Sequence, residues 1–144
     1  MKRTAFTMIE LVFVIVILGI LAAIAIPKFA ATRDDAQITK GRADVAAIRS
    51  AIVSERQTRL LQGDSAYVAA LDGVDGNLFN GPDATHQLLQ YGIAPGVGNG
   101  KWAKTGEGAF TYTILGDAVA FTYTQGTGIF DCNHANINCK RLTE

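Results

Sequence analysis

A single carboxylate, Glu10, lies inside an otherwise uncharged apolar run, Phe6 to Ile26, FTMIELVFVIVILGILAAIAI. An ionised carboxylate in lipid costs at least about 2.5–3.5 kcal/mol, so a lone acid there needs a partner. The run holds no basic side chain. The obvious cation is the amine that would appear if the chain were cut just before Phe6. The chemistry expected is therefore an ion pair in an apolar medium, within one chain or between neighbours. The bland alternative is that Glu10, about a turn from the end of the run, snorkels to the interface.

The other residues able to do chemistry are few. Cys132 and Cys139 are the only cysteines; spaced this closely behind a membrane segment, they read as a disulfide in an oxidising compartment. Their spacing is wide for a zinc knuckle, and His134 would be only a third ligand. Asp72-Gly73-Val74-Asp75-Gly76-Asn77 has the look of a calcium loop but lacks the later Glu of an EF-hand; turn chemistry explains the same residues. His86 and His134 stand in separate loop-like stretches, away from any nucleophile–base–orienter grouping. Gly96, Gly98 and Gly100 have no strand-to-helix phosphate cradle around them. Lys101, Lys104, Lys140 and Arg141 would form a basic edge if the C-terminus folds back, with Trp102 able to stack a base of DNA; solubilising charge on a sheet edge is the plainer account. The sequence thus predicts no enzyme, no metal and no cofactor.

The element that must position Glu10 is a helix. At about 1.5 Å per residue the Phe6–Ile26 run covers about 31 Å, close to the hydrocarbon thickness of a bilayer. Met1-Lys2-Arg3-Thr4-Ala5 is a short basic leader, and Lys2 and Arg3 put the N-terminus in the cytoplasm by the positive-inside rule. Lys28 and Arg33 partly blunt that asymmetry, while the cysteine pair supports the same orientation. Ala22-Ala23-Ile24-Ala25 offers a conventional signal-peptidase site, but the run is long for a signal core, contains Glu10, and continues through Pro27 into an amphipathic segment. Over the 144 residues, basic and acidic side chains balance at 13 each, which gives no argument for bulk electrostatic binding of nucleic acid.

Ala5-Phe6-Thr7-Met8-Ile9-Glu10-Leu11, followed by the apolar run and Pro27, resembles the N-terminus of type IV pilins and the related pseudopilins. The resemblance implies a cut between Ala5 and Phe6 by a prepilin peptidase, and N-methylation of Phe6. Glu10 matches the family's acidic residue, fifth after the cut, and Gly19 and Pro27 match its helix-weakening positions. Ala5 stands where the family usually has Gly. An inner-membrane assembly platform and an assembly ATPase are further implied partners, and Cys132–Cys139 resembles the family's disulfide-bounded C-terminal loop.

Beyond Pro27 the pattern becomes striped. Ile38, Val45, Ile48, Ile52 and Leu60 recur at helical spacings with Gly41 among them, and Gly63-Asp64-Ser65 marks an end. A helix from Phe6 to about Leu61 is expected, about 84 Å long and weakened near Gly19 and Pro27. A coiled coil is the alternative, but the Ala- and Gly-rich stripe is weak for one. Two short helices are expected at Ser65–Leu71 and Asp83–Tyr91. Phe110, Tyr112 and Ile114, then Val119, Phe121 and Tyr123, alternate with small or polar residues, which predicts a hairpin. A two-residue turn at Gly116-Asp117 would set Ile114 opposite Val119, Tyr112 opposite Phe121 and Phe110 opposite Tyr123, all on one face. Residues 127–131 would add a third strand and 101–104 a fourth, at an edge.

The expected fold class is α+β: a long N-terminal helix packed on a small antiparallel sheet of three to four strands. Its expected segments are a leader at 1–5, a transmembrane and assembly helix at 6–27, the amphipathic half of that helix at 28–62, and a head at 63–144. The function expected is a structural subunit of a type IV pilus-like filament, held in the inner membrane as a prepilin and polymerised through its own helix. A pseudopilin of a type II secretion or DNA-uptake system is the alternative. A membrane-anchored periplasmic binding module and a secreted enzyme are rivals from other classes.

Overall fold

The long helix survives where the sequence breaks its pattern. The computed structural model describes residues 6–73 and 75–144; Met1–Ala5, and with them the leader and the Ala5 side of the expected cut, lie outside the described residues, as does Val74. Helix α1, Met8–Leu61, runs as one assigned element through Gly19 and Pro27. Pro27 has no N–H to give to the preceding turn, so one ladder bond is missing there. The helix ends in a Schellman motif: the Gly63 N–H donates to Leu60 O at 3.1 Å and the Asp64 N–H to Arg59 O at 2.9 Å. Gly63 takes the left-handed conformation that this cap requires, at φ +86°.

The chain divides into two compact units, the first ending at Asp35 and the second comprising Ala36–Glu144. In the first, every described large apolar side chain from Phe6 to Phe29 is exposed. A helix apolar on all sides has no face to turn to water, so this segment needs an apolar surrounding.

The second unit is α+β. Its sheet is antiparallel in the order β1 (Trp102–Gly106), β2 (Ala109–Ile114), β3 (Asp117–Thr124), β4 (Ile129–Cys132), and a short α2 (Ile137–Thr143) follows. The face predicted to be apolar is the buried one: Phe110, Tyr112, Ile114, Val119, Phe121 and Tyr123 all lie in the core with Val45, Ile48 and Ile52 of α1. Within it Phe121 stacks on Phe130 at 5.2 Å between centroids, and Phe79 leans on Phe110 at 4.6 Å. Such pairs contribute about 0.5–1.5 kcal/mol beyond the area they bury. The polar tips of three buried aromatic side chains are satisfied. Tyr112 Oη donates to Gln37 O at 2.8 Å, Tyr123 Oη to Val68 O at 2.8 Å, and Trp102 Nε1 to Asp44 Oδ2 at 3.0 Å.

Several expectations need correcting. The hairpin register is shifted by two residues: Ile114 faces Asp117, Tyr112 faces Val119 and Phe110 faces Phe121. The turn is Leu115-Gly116, both left-handed at φ +53° and +84°. A two-residue shift leaves every side chain on its own face, so alternation alone does not choose between the two registers. The turn's partners do, because the Gly116 N–H donates to Asn99 Oδ1 and Asp117 Oδ2 accepts from Asn138 Nδ2. Neither Ser65–Leu71 nor Asp83–Tyr91 is helical. Their backbones pair across the segment instead, Gly81 N–H with Leu71 O, Leu88 N–H with Asn80 O and Leu89 N–H with Phe79 O, while Val68 and Leu71 sink into the core. Leu60 is exposed, since the buried stripe passes from Ile52 to Glu55 and Arg59. Helix α2 was not expected at all.

Candidate functional site

The first turn of α1 is built by a capping box. Thr7 precedes the first helical residue, and the Glu10 N–H donates to Thr7 Oγ1 at 3.3 Å. In return the Thr7 N–H and the Thr7 hydroxyl each donate to Glu10 Oε2 at 3.5 Å. This is the Thr-x-x-Glu reciprocal arrangement, which satisfies backbone donors that a helix start leaves orphaned. The spacing was legible in the sequence, but Thr7 had entered there only as part of a resemblance. The negative carboxylate also sits at the positive end of the helix dipole.

The box aims Glu10 backwards along the chain. Its carboxylate reaches the Thr7 backbone nitrogen, and the nitrogen of Phe6 is only three covalent bonds further on. Thus Thr7 and Glu10 come together with Phe6 next in the chain, while Gly19 and Pro27 lie further along the same helix. A Cβ added at Gly19 would meet nothing within 4 Å, so the free space around that glycine does not come from packing inside the chain. Helix α1 is the one described helix long and apolar enough to cross a membrane.

The remaining candidates resolve into local pairs. Cys132 and Cys139 are joined in a disulfide, so the grouping of their sulfurs with Asp131 is no thiolate metal site. Asp72 pairs with Lys104 at 2.7 Å, and Asp75 accepts from Asn80 Nδ2 at 2.7 Å, which accounts for both acids of the calcium-like stretch. The same Asp72–Lys104 pair flanks a surface groove shared with Leu78, Pro95, Val97 and Ala103. His86 binds the Asp83 carboxylate at 2.9 Å, and that hydrogen bond holds the Asp83 carboxyl below the usual carboxylate range. His134 sits 3.1 Å from Asp131 and 3.7 Å from Glu144. Trp102 is fully buried, so its ring cannot stack a base, and Lys104 spends its charge on Asp72. The stacking expected of Trp102 is therefore corrected, while Lys101, Lys140 and Arg141 are exposed.

A family profile described as the prokaryotic N-terminal methylation motif matches residues 1–26, the stretch that holds Phe6, Thr7 and Glu10. The match is to that N-terminal motif alone, and the curated relatives that the chain resembles over part of its length are a type IV pilin and a type II secretion core protein. Over 51 residues, 35% of this chain, it is 51% identical to the type IV narrow pilus major component PilA5 of Thermus thermophilus, covering 44% of that protein. Over a stretch of the same length it is 41% identical to the type II secretion system core protein G of Pseudomonas aeruginosa, covering 36% of that protein. The chain thus spans less than half the length of either curated relative, and no solved structure matches it.

Proposed function

We propose that the chain is a structural subunit of a type IV pilus-like filament, stored in the inner membrane and polymerised through α1. The observation that carries this is the apolar run of α1, exposed on every side and entered by one carboxylate that reaches back to the Thr7 backbone at the start of the helix. On this reading a prepilin peptidase cuts between Ala5 and Phe6 on the cytoplasmic side, and the Phe6 amine is methylated. In the membrane Glu10 neutralises the amine of its own chain. In the filament it neutralises the Phe6 amine of a neighbour and so sets axial register. Gly19 and Pro27 let the helix loosen as it leaves lipid, and a platform and an assembly ATPase drive that step. The second unit stands in the periplasm before assembly, where its disulfide is stable.

The pseudopilin reading stands beside it because a secretion core protein matches a stretch of the same length as the pilin does. Mass spectrometry of the mature protein tests both against the rival classes. A start at methylated Phe6 is expected; an intact leader points to a simple anchor, and a start near residue 25 to a secreted form. Glu10→Ala should insert normally yet yield few filaments, and normal yield from that variant removes the register role. Imaging then tells a surface fibre from a short periplasmic one.

A further inference from the structure

Tyr91 is the one exposed aromatic ring among the described residues of the second unit, at 83%; the others lie in its core or pack against it. It lines a cavity of about 230 Å³ with Asp75, Asn77, Asn80, Gln87 and Gln90. The walls are two segments, 75–80 and 87–93, stitched together by backbone hydrogen bonds. Leu78 and Ile93 exchange a pair at 2.8 Å each, and the Leu88 and Leu89 N–H groups donate to Asn80 O and Phe79 O at 3.2 and 3.1 Å. An added Cβ at Gly92 would meet Asn77 Cβ at 2.6 Å and Asn80 Cβ at 3.0 Å, so that glycine lets both asparagines stand against the second wall. Asp75 and Phe79 hold left-handed backbones at φ +54° and +62°. Strain of this kind persists where the surroundings demand that a side chain be aimed. Here Phe79 is aimed into the core and Asp75 onto Asn80.

The lining is rich in amides and poor in charge. The side chains of Asn77, Gln87, Gln90 and Tyr91 have no hydrogen-bond partner among the described residues. Each amide both donates and accepts, and so does a hydroxyl, so a ring bearing neighbouring hydroxyls matches this set. An anion would meet no cation in the cavity. A divalent cation would meet a single carboxylate, Asp75, whose Oδ1 already accepts from Asn80 Nδ2 at 2.7 Å. The Tyr91 face adds the apolar surface against which the C–H face of a sugar ring can lie. Pockets that enclose drug-sized ligands run to about 300–1,000 Å³, so this smaller one suits a single ring rather than a chain of them.

We propose that this cavity binds one neutral pyranose ring, with Tyr91 against its C–H face and Asn77, Gln87 and Gln90 on its hydroxyls. The stitched walls are formed in advance, whereas the exposed Gln87, Gln90 and Tyr91 side chains must be ordered on binding. Affinity in the range of about 1–10 mM is therefore expected. The site lies wholly within the second unit and would serve a filament subunit and a membrane-anchored module alike. It stands or falls separately from the filament reading.

Saturation-transfer NMR on the full-length chain tests it, in lauryldimethylamine oxide, a detergent with no sugar headgroup. The probes are the methyl glycosides of glucose, galactose, mannose and N-acetylglucosamine, and at least one should bind saturably. Tyr91→Ala and Gln87→Ala should each weaken that binding about threefold or more. Tyr91→Phe, which keeps the ring, should bind as wild type does; a loss equal to that of Tyr91→Ala would overturn the stacking role. Both positions are exposed, so thermal unfolding unchanged from wild type checks that each variant folds. The proposal is overturned if none of the glycosides binds saturably. It is overturned equally if Tyr91→Ala and Gln87→Ala leave binding unchanged, which puts the sugar elsewhere on the chain. Calcium chloride is titrated in parallel by calorimetry. Saturable calcium binding that Asp75→Asn abolishes, with no sugar bound, would make a cation the occupant and refute the argument from the amides.

Discussion

Removing the disulfide should separate what the covalent bond contributes from what α2 contributes by packing. Cys132 and Cys139 are seven apart in sequence, so the bond closes a small loop. By chain entropy such a loop contributes about 2.5 kcal/mol. Without it α2 keeps three other holds: buried Leu142 against Gly41, the Arg42 guanidinium on the Arg141 carbonyl, and Asn138 on Asp117 at 3.0 Å. Losing Leu142 alone would cost about 2–5 kcal/mol, so detachment of the whole helix is a much larger event than loss of the bond. For a domain of this size, about 2.5 kcal/mol corresponds to a drop of about 10 °C in Tm. The assay is thermal unfolding, followed by circular dichroism, of Cys132→Ser/Cys139→Ser and of reduced wild type in the same detergent. A drop under about 3 °C would show that the unfolded chain gains little freedom, contrary to the loop-entropy argument. A drop above about 20 °C would show that the bond, not the packing, holds α2 in place.

Two further outcomes follow from the packing of the second unit. Gly41→Val should destabilise it by about 1–3 kcal/mol in chemical denaturation, because a Cβ there meets Leu142 Cδ2 and Tyr112 Cε1 at 2.5 Å; a neutral result would mean that α2 yields freely. Burial, with Asp44 adding to it, pushes the Tyr112 hydroxyl up to about 12 from 10.0. The folded state then binds the proton more tightly than the unfolded one, so stability is complete below pH 10 and falls between pH 10 and 12, by at most about 3 kcal/mol. Tyr112→Phe should flatten that part of the stability profile.

The sequence made the faces of the second unit readable, while the connections depended on tertiary partners. Period-two alternation marked Phe110 to Tyr123 as one buried face, and any shift by an even number of residues preserves that pattern. The true register rests on Asn99 and Asn138, residues distant in sequence that engage the Leu115-Gly116 turn. Ser65–Leu71 looked helical because propensity is local; its backbone instead serves Gly81 and Tyr123, and tertiary context overrides a weak local preference. Helix α2 did leave a signal, with Asn136 as N-cap and Cys139 and Leu142 three apart on its inner side. A disulfide at this spacing is equally compatible with a loop, so the spacing of the cysteines does not reveal the helix. At the N-terminus the situation reverses. Thr7, Glu10 and the apolar run were all legible, because there the partners lie within one turn of each other.

That contrast bears on how α1 would exchange one surrounding for another. A segment apolar on all sides is nearly indifferent between lipid tails and packed neighbouring helices, since both remove it from water. Indifference makes transfer cheap but gives it no direction. On the proposed filament reading Glu10 would break the tie, because burying its charge is costly wherever the pairing is poor and tolerable where an ammonium meets it squarely. The capping box holds the carboxylate on the Thr7 backbone at 3.5 Å, the outer limit of a hydrogen bond, so an amine supplied by a neighbour has a weakly held acid to capture. If that reasoning holds, strengthening the chain's own grip on Glu10 should slow assembly just as removing the acid does. Thr7→Ala, which removes the hydroxyl that donates to Glu10 Oε2, should loosen that grip and speed filament growth; a growth rate equal to wild type would show that the capping box does not restrain the acid.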